Sequence, residues 1–313
     1  MSVAATKRPA PAKFDDPEFT ADGERRAQVD FQGMRTLWIN TGTLCNLACA
    51  NCYIESSPKN DALVYISAQE VAGYLDELDA LGTGREVGFT GGEPFMNPQM
   101  TAILEDTLRR GYRALVLSNA MKPMLKQGAA LRRLNELYGD RLVIRVSVDH
   151  YSKELHEDER GQNTWDRMVE GLKWLADNGF QIDIAGRTRW GEDVGELRAG
   201  FARLFDELGV PVDAHDPEEL ILFPEMDPNA QVPEITVACW GKLGIDPASI
   251  MCASSRMVVK RKGWDRPGVV ACTLIPYDRE FEFGETLRES MKPVKLNHIN
   301  CAKFCVLGGG ACS

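Results

Sequence analysis

The sequence predicts an α/β fold: a partial (β/α)6 TIM-type barrel followed by a small C-terminal α+β domain rich in cysteine. Two observations predict the barrel and a third the appendage. Short apolar runs of strand length alternate with amphipathic stretches of helix length, the pattern of parallel strands joined by crossover helices. Six such strand-helix units occupy about 190 residues, too few for a closed eightfold barrel and suited to a partial one. From about Pro233 the alternation stops, and five of the nine cysteines fall in the last 62 residues.

Taken in order, residues 1–34 read as a polar leader. They carry Lys7, Arg8, three prolines and many acids but no apolar segment of signal-peptide type. Residues 36–40, Thr-Leu-Trp-Ile-Asn, form the first strand candidate. The next helix starts at Ser67, where Ser67-Ala68-Gln69-Glu70 has the pattern of a capping box and Val71, Tyr74, Leu75 and Leu78 recur at helical spacing. Further strands are expected over 86–90, 113–118, 142–148, 181–186 and 220–223. Helical patterns lie near 99–110, 129–138, 165–178 and 196–208. The barrel is therefore assigned to 35–232. In 233–313 a hairpin of strands 257–261 and 269–275 is expected, then a short helix near 285–291 and a tail rich in Cys and Gly.

Composition excludes several classes of function. The 313 residues carry 36 Lys and Arg against 46 Asp and Glu, a net charge of -10, so no nucleic acid or anionic membrane is expected as partner. The nearest approach to a basic cluster is Lys260, Arg261 and Lys262 with Arg266. The longest apolar runs fall far short of the roughly 18 residues that would cross a bilayer. A cytoplasmic location is the expectation, and in a reducing compartment nine cysteines cannot be a disulfide framework. They must serve as core fillers, metal ligands or reactive thiols. No P-loop, dinucleotide glycine pattern or nucleophile elbow is present.

Directly after the first strand come Cys45, Cys49 and Cys52, a C-x3-C-x2-C array. Three thiolates on one loop can wrap a cuboidal iron-sulfur cluster, and because only three ligands are supplied one iron stays open. A zinc site is the bland alternative, although zinc favours pairs of C-x2-C. This array resembles the signature of the radical S-adenosylmethionine (SAM) superfamily, which sits on the loop after the first strand of a partial barrel. Gly91-Gly92-Glu93-Pro94, after the second strand, is similar to that family's GGEP motif, which contacts the SAM amino group. The resemblance implies that Ser118 and Asn119, and Ser147 and Asp149, meet the SAM carboxylate and ribose. It implies further that Arg160 binds a carboxylate and that Ile184 lies beside adenine. The residue before the third cysteine is usually aromatic in the family and here is Asn51, so Tyr53 is the aromatic candidate for packing against adenine. A 4Fe-4S cluster and SAM would be the cofactors, a flavodoxin- or ferredoxin-type protein the reductant, and a 5'-deoxyadenosyl radical the reactive species.

The C-terminal cysteines are Cys252, Cys272, Cys301, Cys305 and Cys312, enough for one further iron-sulfur cluster or one zinc. Their arrangement resembles the auxiliary-cluster extensions called Twitch and SPASM. The expected ligands of a second 4Fe-4S cluster are Cys252, Cys272, Cys301 and Cys305, with Cys312 as substitute. Cys239 fits neither group and is either a buried small hydrophobe or a hydrogen-atom donor. Past the strand ends, His150, Tyr151, Arg187, Arg189, Trp190 and Glu225 are candidates to face substrate, Glu225 as a base.

What the resemblance implies is a radical SAM oxidoreductase acting on a small polar molecule or a peptide side chain, with the auxiliary cluster as electron acceptor. An epimerase with a cysteine hydrogen donor is the alternative. An iron-sulfur electron carrier is disfavoured, because a carrier gains from four cysteine ligands per cluster. The leader, at about 35 residues, is shorter than the peptide-recognition domain many such enzymes carry, which weighs against peptide maturation.

Overall fold

The computed structural model describes residues 12–225 and 230–310. Strands β1 (Gln28–Val29) and β2 (Thr36–Asn40) open the chain, and α1 (Ala68–Leu81) follows. The alternation continues through β3 (Glu86–Thr90), α2 (Met100–Arg109), β4 (Arg113–Ser118), α3 (Lys122–Lys126), α4 (Gly128–Tyr138) and β5 (Leu142–Ser147). Next come α5 (Lys153–Arg160), α6 (Trp165–Asp177), β6 (Gln181–Arg187), α7 (Val194–Leu208) and β7 (Leu220–Phe223). The C-terminal part holds α8 (Val237–Leu243), β8 (Ser255–Val259), β9 (Gly268–Val270) and β10 (Val294–Lys295). Strands β2 to β7 are parallel neighbours in sequence order, the arrangement of a partial barrel.

Alternation along each strand divides the core into two layers. Leu37, Ile39, Val87, Phe89, Ala114, Val116, Ile144, Val146, Ile182 and Ile184 face outward and are covered by apolar residues of the helices. Trp38, Leu115, Val143, Ala185 and Phe223 face inward. The indole of Trp38 occupies the space beside Gly88, where an added Cβ would meet the ring at 2.5 Å. Helix α1 begins as its sequence predicts: Ser67 Oγ accepts from the Glu70 N–H at 3.2 Å, and the Glu70 carboxylate accepts from the Ser67 N–H at 2.8 Å. Among the described residues no helix is long and apolar enough to cross a membrane.

The C-terminal hairpin does not stand apart from the barrel. Strand β8 pairs in parallel with β2, from Thr36 opposite Ser255 to Ile39 opposite Val258, and β9 continues the sheet in antiparallel fashion. A free β2 edge would leave a row of unpaired backbone groups, and the hairpin covers it. Its strands run 255–259 and 268–270, not 257–261 and 269–275. The helix expected near 285–291 is instead a turn, fastened where Glu289 accepts from the N–H groups of Glu285 and Thr286. Residues 12–34 also differ from the leader expected: the buried pair Arg26–Glu234, 2.6 Å, and the β1–β10 ladder stitch them to the C-terminal part.

Candidate active site

The loop carrying Cys45, Cys49 and Cys52 has no regular structure, so its shape depends on contacts with its neighbours. Cys45 N–H donates to Ser57 O (3.1 Å) and Ala50 N–H to Glu159 O (2.8 Å). Asn51 donates through its backbone N–H (2.9 Å) and its side-chain amide (3.0 Å) to the Glu159 carboxylate, which is buried on α5. At the position where an aromatic residue was expected, Asn51 thus anchors the loop to a helix. The sulfurs themselves receive N–H donors, Leu47 to Cys45 at 3.4 Å and Ser56 to Cys52 at 3.3 Å. Burial pushes the Cys45 thiol up to about 12, against the pull of the Leu47 N–H, and burial also raises Cys49. Both therefore hold their protons at neutral pH until a metal displaces them.

Strand β3 delivers Gly91, Gly92 and Glu93 against this loop. Gly92 N–H donates to Gly42 O (2.8 Å) and Glu93 N–H to Leu44 O (3.2 Å). A Cβ on Gly92 would lie 2.2 Å from Leu44 O, and one on Gly91, whose φ is +139°, would lie 2.5 Å from Gly42 O. Only glycines permit this approach. The Glu93 carboxylate is buried behind them and accepts from Ser118 Oγ (3.0 Å), Asn119 N–H (2.9 Å) and Phe95 N–H (3.2 Å). Burial lifts its pKa to about 7 in spite of those donors. The side chain expected to contact a ligand is thus the one that fixes Ser118 and Asn119, and Asn119 Nδ2 in turn lies 4.0 Å from Cys45 Sγ.

Across the barrel mouth, Arg160 donates to both oxygens of Asp149 (2.5 and 3.2 Å), and Arg187 Nε lies 3.4 Å from the same carboxylate. Burial raises the Asp149 pKa, but Arg160 and Arg187 outweigh it and hold the group below its ordinary value. Arg187 also donates to Asn51 O (2.9 Å) and covers the Tyr53 ring at 4.5 Å. Tyr53 OH donates to Pro224 O at 3.0 Å.

These groups enclose one cavity of about 1040 Å³, part of it open to solvent. Its walls include all three loop cysteines together with Tyr53, Gly91, Gly92, Ser118, Asn119, Ser147, Asp149 and Arg160. Two expected residues are placed elsewhere. Ile184 points into the outer layer and its neighbour Ala185 lines the cavity, because strand alternation turns one of the pair inward. Glu93 stands behind the wall. The sequence reading missed further lining residues, among them Trp38 on β2, Ser56 on the cysteine loop, and Thr273 and Leu274 after β9. Trp38 Nε1 and Ser56 Oγ are buried without a hydrogen-bond partner, which suits a wall built to meet a polar ligand.

The remaining candidates separate clearly. His150 Nε2 and Tyr151 OH both engage Glu192 (2.6 and 2.8 Å), and Arg189 pairs with Glu159. Glu225 lies 3.4 Å from Arg187 and is not among the cavity walls. Cys239 Sγ accepts from the Thr236 N–H at 3.4 Å in the first turn of α8, packs half-buried against the inner core and is not among the cavity walls.

Cys252, Cys272 and Cys301 are buried in the inner core, with Cys305 half-buried against it. Burial pushes Cys252 up to about 11 and raises Cys301, to which Cys272 and Cys252 add by charge repulsion. Cys301 and Cys305 share a one-turn π-helix, Cys301–Val306, closed by Leu307 N–H to Ala302 O at 2.9 Å. Cys312 lies outside the described residues. Among the described residues no three His, Cys, Asp or Glu side chains converge on a position for a single metal ion.

Residues 39–187 match the family described as the Radical SAM superfamily. The chain is 30% identical over 142 residues to the antilisterial bacteriocin subtilosin biosynthesis protein AlbA of Bacillus subtilis, covering 45% of this chain and 30% of that protein. It is 26% identical over 136 residues to the mycofactocin maturase MftC of Mycolicibacterium smegmatis, covering 44% and 33%. It thus spans about a third of the length of these relatives. Among solved structures, native anSMEcpe with bound AdoMet superposes with a TM-score of 0.59 at 14% identity, covering 84% of this chain and 81% of that one. Streptococcus suis SuiB bound to S-adenosylmethionine gives 0.59 at 11% identity, covering 80% and 63%. Residues 39–187, which carry the three-cysteine loop and most of the cavity wall, are thus similar to the radical SAM superfamily, a family whose cofactors are a 4Fe-4S cluster and S-adenosylmethionine.

Proposed function

We propose that this chain is a radical SAM oxidoreductase that removes two electrons from a C–H-bearing centre, with a second 4Fe-4S cluster as the electron acceptor. The observation that carries this reading is the shared cavity. Cys45, Cys49 and Cys52 line it together with Thr273 and Leu274, which follow Cys272. When bound and reduced, the first cluster and SAM supply a carbon-centred radical that abstracts one hydrogen atom from substrate.

Every other task falls to side chains. Cys45, Cys49 and Cys52 hold the first cluster, and Cys252, Cys272, Cys301 and Cys305 the second, with Cys312 a possible substitute. Gly91 and Gly92 let the β3 end press on the loop, while Glu93 orients Ser118 and Asn119 toward the cavity. Asp149, kept ionised by Arg160 and Arg187, and Ser147 offer acceptors for hydroxyl groups. Tyr53 and Ala185 give apolar surface to a planar base. With both groups bound the atoms would balance as one hydrogen atom to the radical, one electron to an acceptor cluster and one proton to a base, for which Glu225 beside Arg187 is the candidate. A flavodoxin- or ferredoxin-type protein returns the electron that starts each turnover.

The similarity to AlbA and MftC, a bacteriocin biosynthesis protein and a maturase, favours a peptide over a small polar molecule as substrate. Turnover in heavy water separates oxidation from epimerisation. Oxidation leaves no solvent deuterium at the product carbon. Stoichiometric deuterium there would replace this reading with the epimerase, which must return a hydrogen from an exchangeable donor.

A further inference from the structure

Arg256, on β8, is a buried cation without a buried anion beside it. Its side chain is fully enclosed and is among the largest of the fully buried side chains. All its hydrogen bonds go to neutral carbonyls: Nε to Ser290 O (2.9 Å), Nη1 to Cys252 O and Ser255 O (both 2.6 Å), and Nη2 to Lys292 O (2.8 Å). Two aromatic faces flank it, Phe31 at 4.5 Å and Phe283 at 5.5 Å. Other enclosed arginines behave differently, for Arg26 pairs with Glu234, Arg145 with Asp183 and Arg160 with Asp149. Among the described residues no carboxylate lies within ion-pair distance of Arg256.

Carbonyl dipoles and ring faces soften the desolvation of a guanidinium but do not neutralise it, and a buried unpaired charge is strongly unfavourable. Within hydrogen-bond distance stands the backbone of Cys252, a prospective cluster ligand whose sulfur becomes anionic only when it binds metal. The bond to Cys252 O places the charge directly behind one expected ligand. We propose that Arg256 is the counter-charge of an anionic iron-sulfur centre held by Cys252, Cys272, Cys301 and Cys305, and that it raises the reduction potential of that centre. The inference rests on the second cluster of the preceding reading.

The charge arithmetic gives the direction. Four thiolates on a 4Fe-4S core leave a net negative charge that grows by one on reduction. A fixed positive charge stabilises the more negative form by the larger amount. Arg256 therefore favours uptake of an electron, as an acceptor of the substrate's second electron requires.

The test uses the full chain reconstituted anaerobically, in a background in which Cys45, Cys49 and Cys52 are replaced by Ala so that only the second centre remains. Iron is counted first, then reduction by dithionite is followed by EPR at controlled potential. Arg256→Gln removes the charge and should disfavour the reduced form at least tenfold, a fall of about 59 mV for one electron. Arg256→Lys keeps the charge and should stay within about threefold of the parent. An unchanged potential in an iron-loaded Arg256→Gln protein overturns the proposal. If Arg256→Gln does not fold, Arg256→Lys decides: iron and potential retained support the charge, and loss of both assigns Arg256 to carbonyl bridging alone. A parent protein that holds no iron in this background overturns the second-cluster reading and the proposal with it.

Discussion

Glu93 illustrates how a single residue is tuned by its surroundings. Its carboxylate receives three donors yet burial lifts its pKa from an ordinary 4.5 to about 7. The folded state therefore binds its proton more tightly than the unfolded state does. The contribution to stability is fully present below about 4.5 and is withdrawn as pH rises through about 7. Glu93→Gln carries no titrating proton, so thermal unfolding of the apoprotein should lose part of its decline between pH 5 and 7. An identical pH profile in the variant would refute the assignment. Ser118 and Asn119 should also lose their orientation, lowering SAM cleavage by roughly tenfold or more, as removal of a positioning contact does.

At the scale of elements, the loop depends on a helix that carries almost no hydrophobic signal. Helix α5 reads Lys-Glu-Leu-His-Glu-Asp-Glu-Arg, with one leucine, so apolar periodicity could not reveal it. Glu159 on that helix nonetheless fastens Asn51 and Arg189. Glu159→Ala should loosen the loop and reduce the iron retained by the first cluster several-fold after gel filtration, while the second cluster keeps its iron. Equal retention in both would show that the loop holds its shape without α5.

The same contrast explains what the sequence revealed. Helices α1, α2, α4, α6 and α7 and strands β2 to β7 announce themselves through local period and capping, since each buries one face of a short segment. The β8–β2 pairing and the docking of residues 12–34 join positions some 200 apart, and no local pattern encodes them. In the site, the cysteine array and the glycine pair are contiguous and therefore visible. Trp38 and Ser56 become informative only when the fold shows their polar atoms buried without a hydrogen-bond partner, and Arg256 only when it shows a buried guanidinium held by carbonyls alone. Ile184 and Ala185 differ by one position, and strand phase alone decides which meets the cavity.

For the whole molecule, the arrangement of the sheet is the functional statement. Strands β3 to β6 carry Gly91, Gly92, Ser118, Asn119, Ser147 and Ala185 to the cavity, and the hairpin added at β2 brings the segment after Cys272 to it. The three loop cysteines and the segment that follows Cys272, far apart in sequence, thus line one cavity. The most direct test of this account is anaerobic reconstitution followed by SAM and dithionite, with iron and 5'-deoxyadenosine measured together in the presence of candidate peptides. The account predicts about eight irons per chain, from two four-iron clusters, and 5'-deoxyadenosine that disappears in Cys52→Ala. A chain loaded with about eight irons that cleaves no SAM, or a Cys52→Ala variant that cleaves it undiminished, would contradict it.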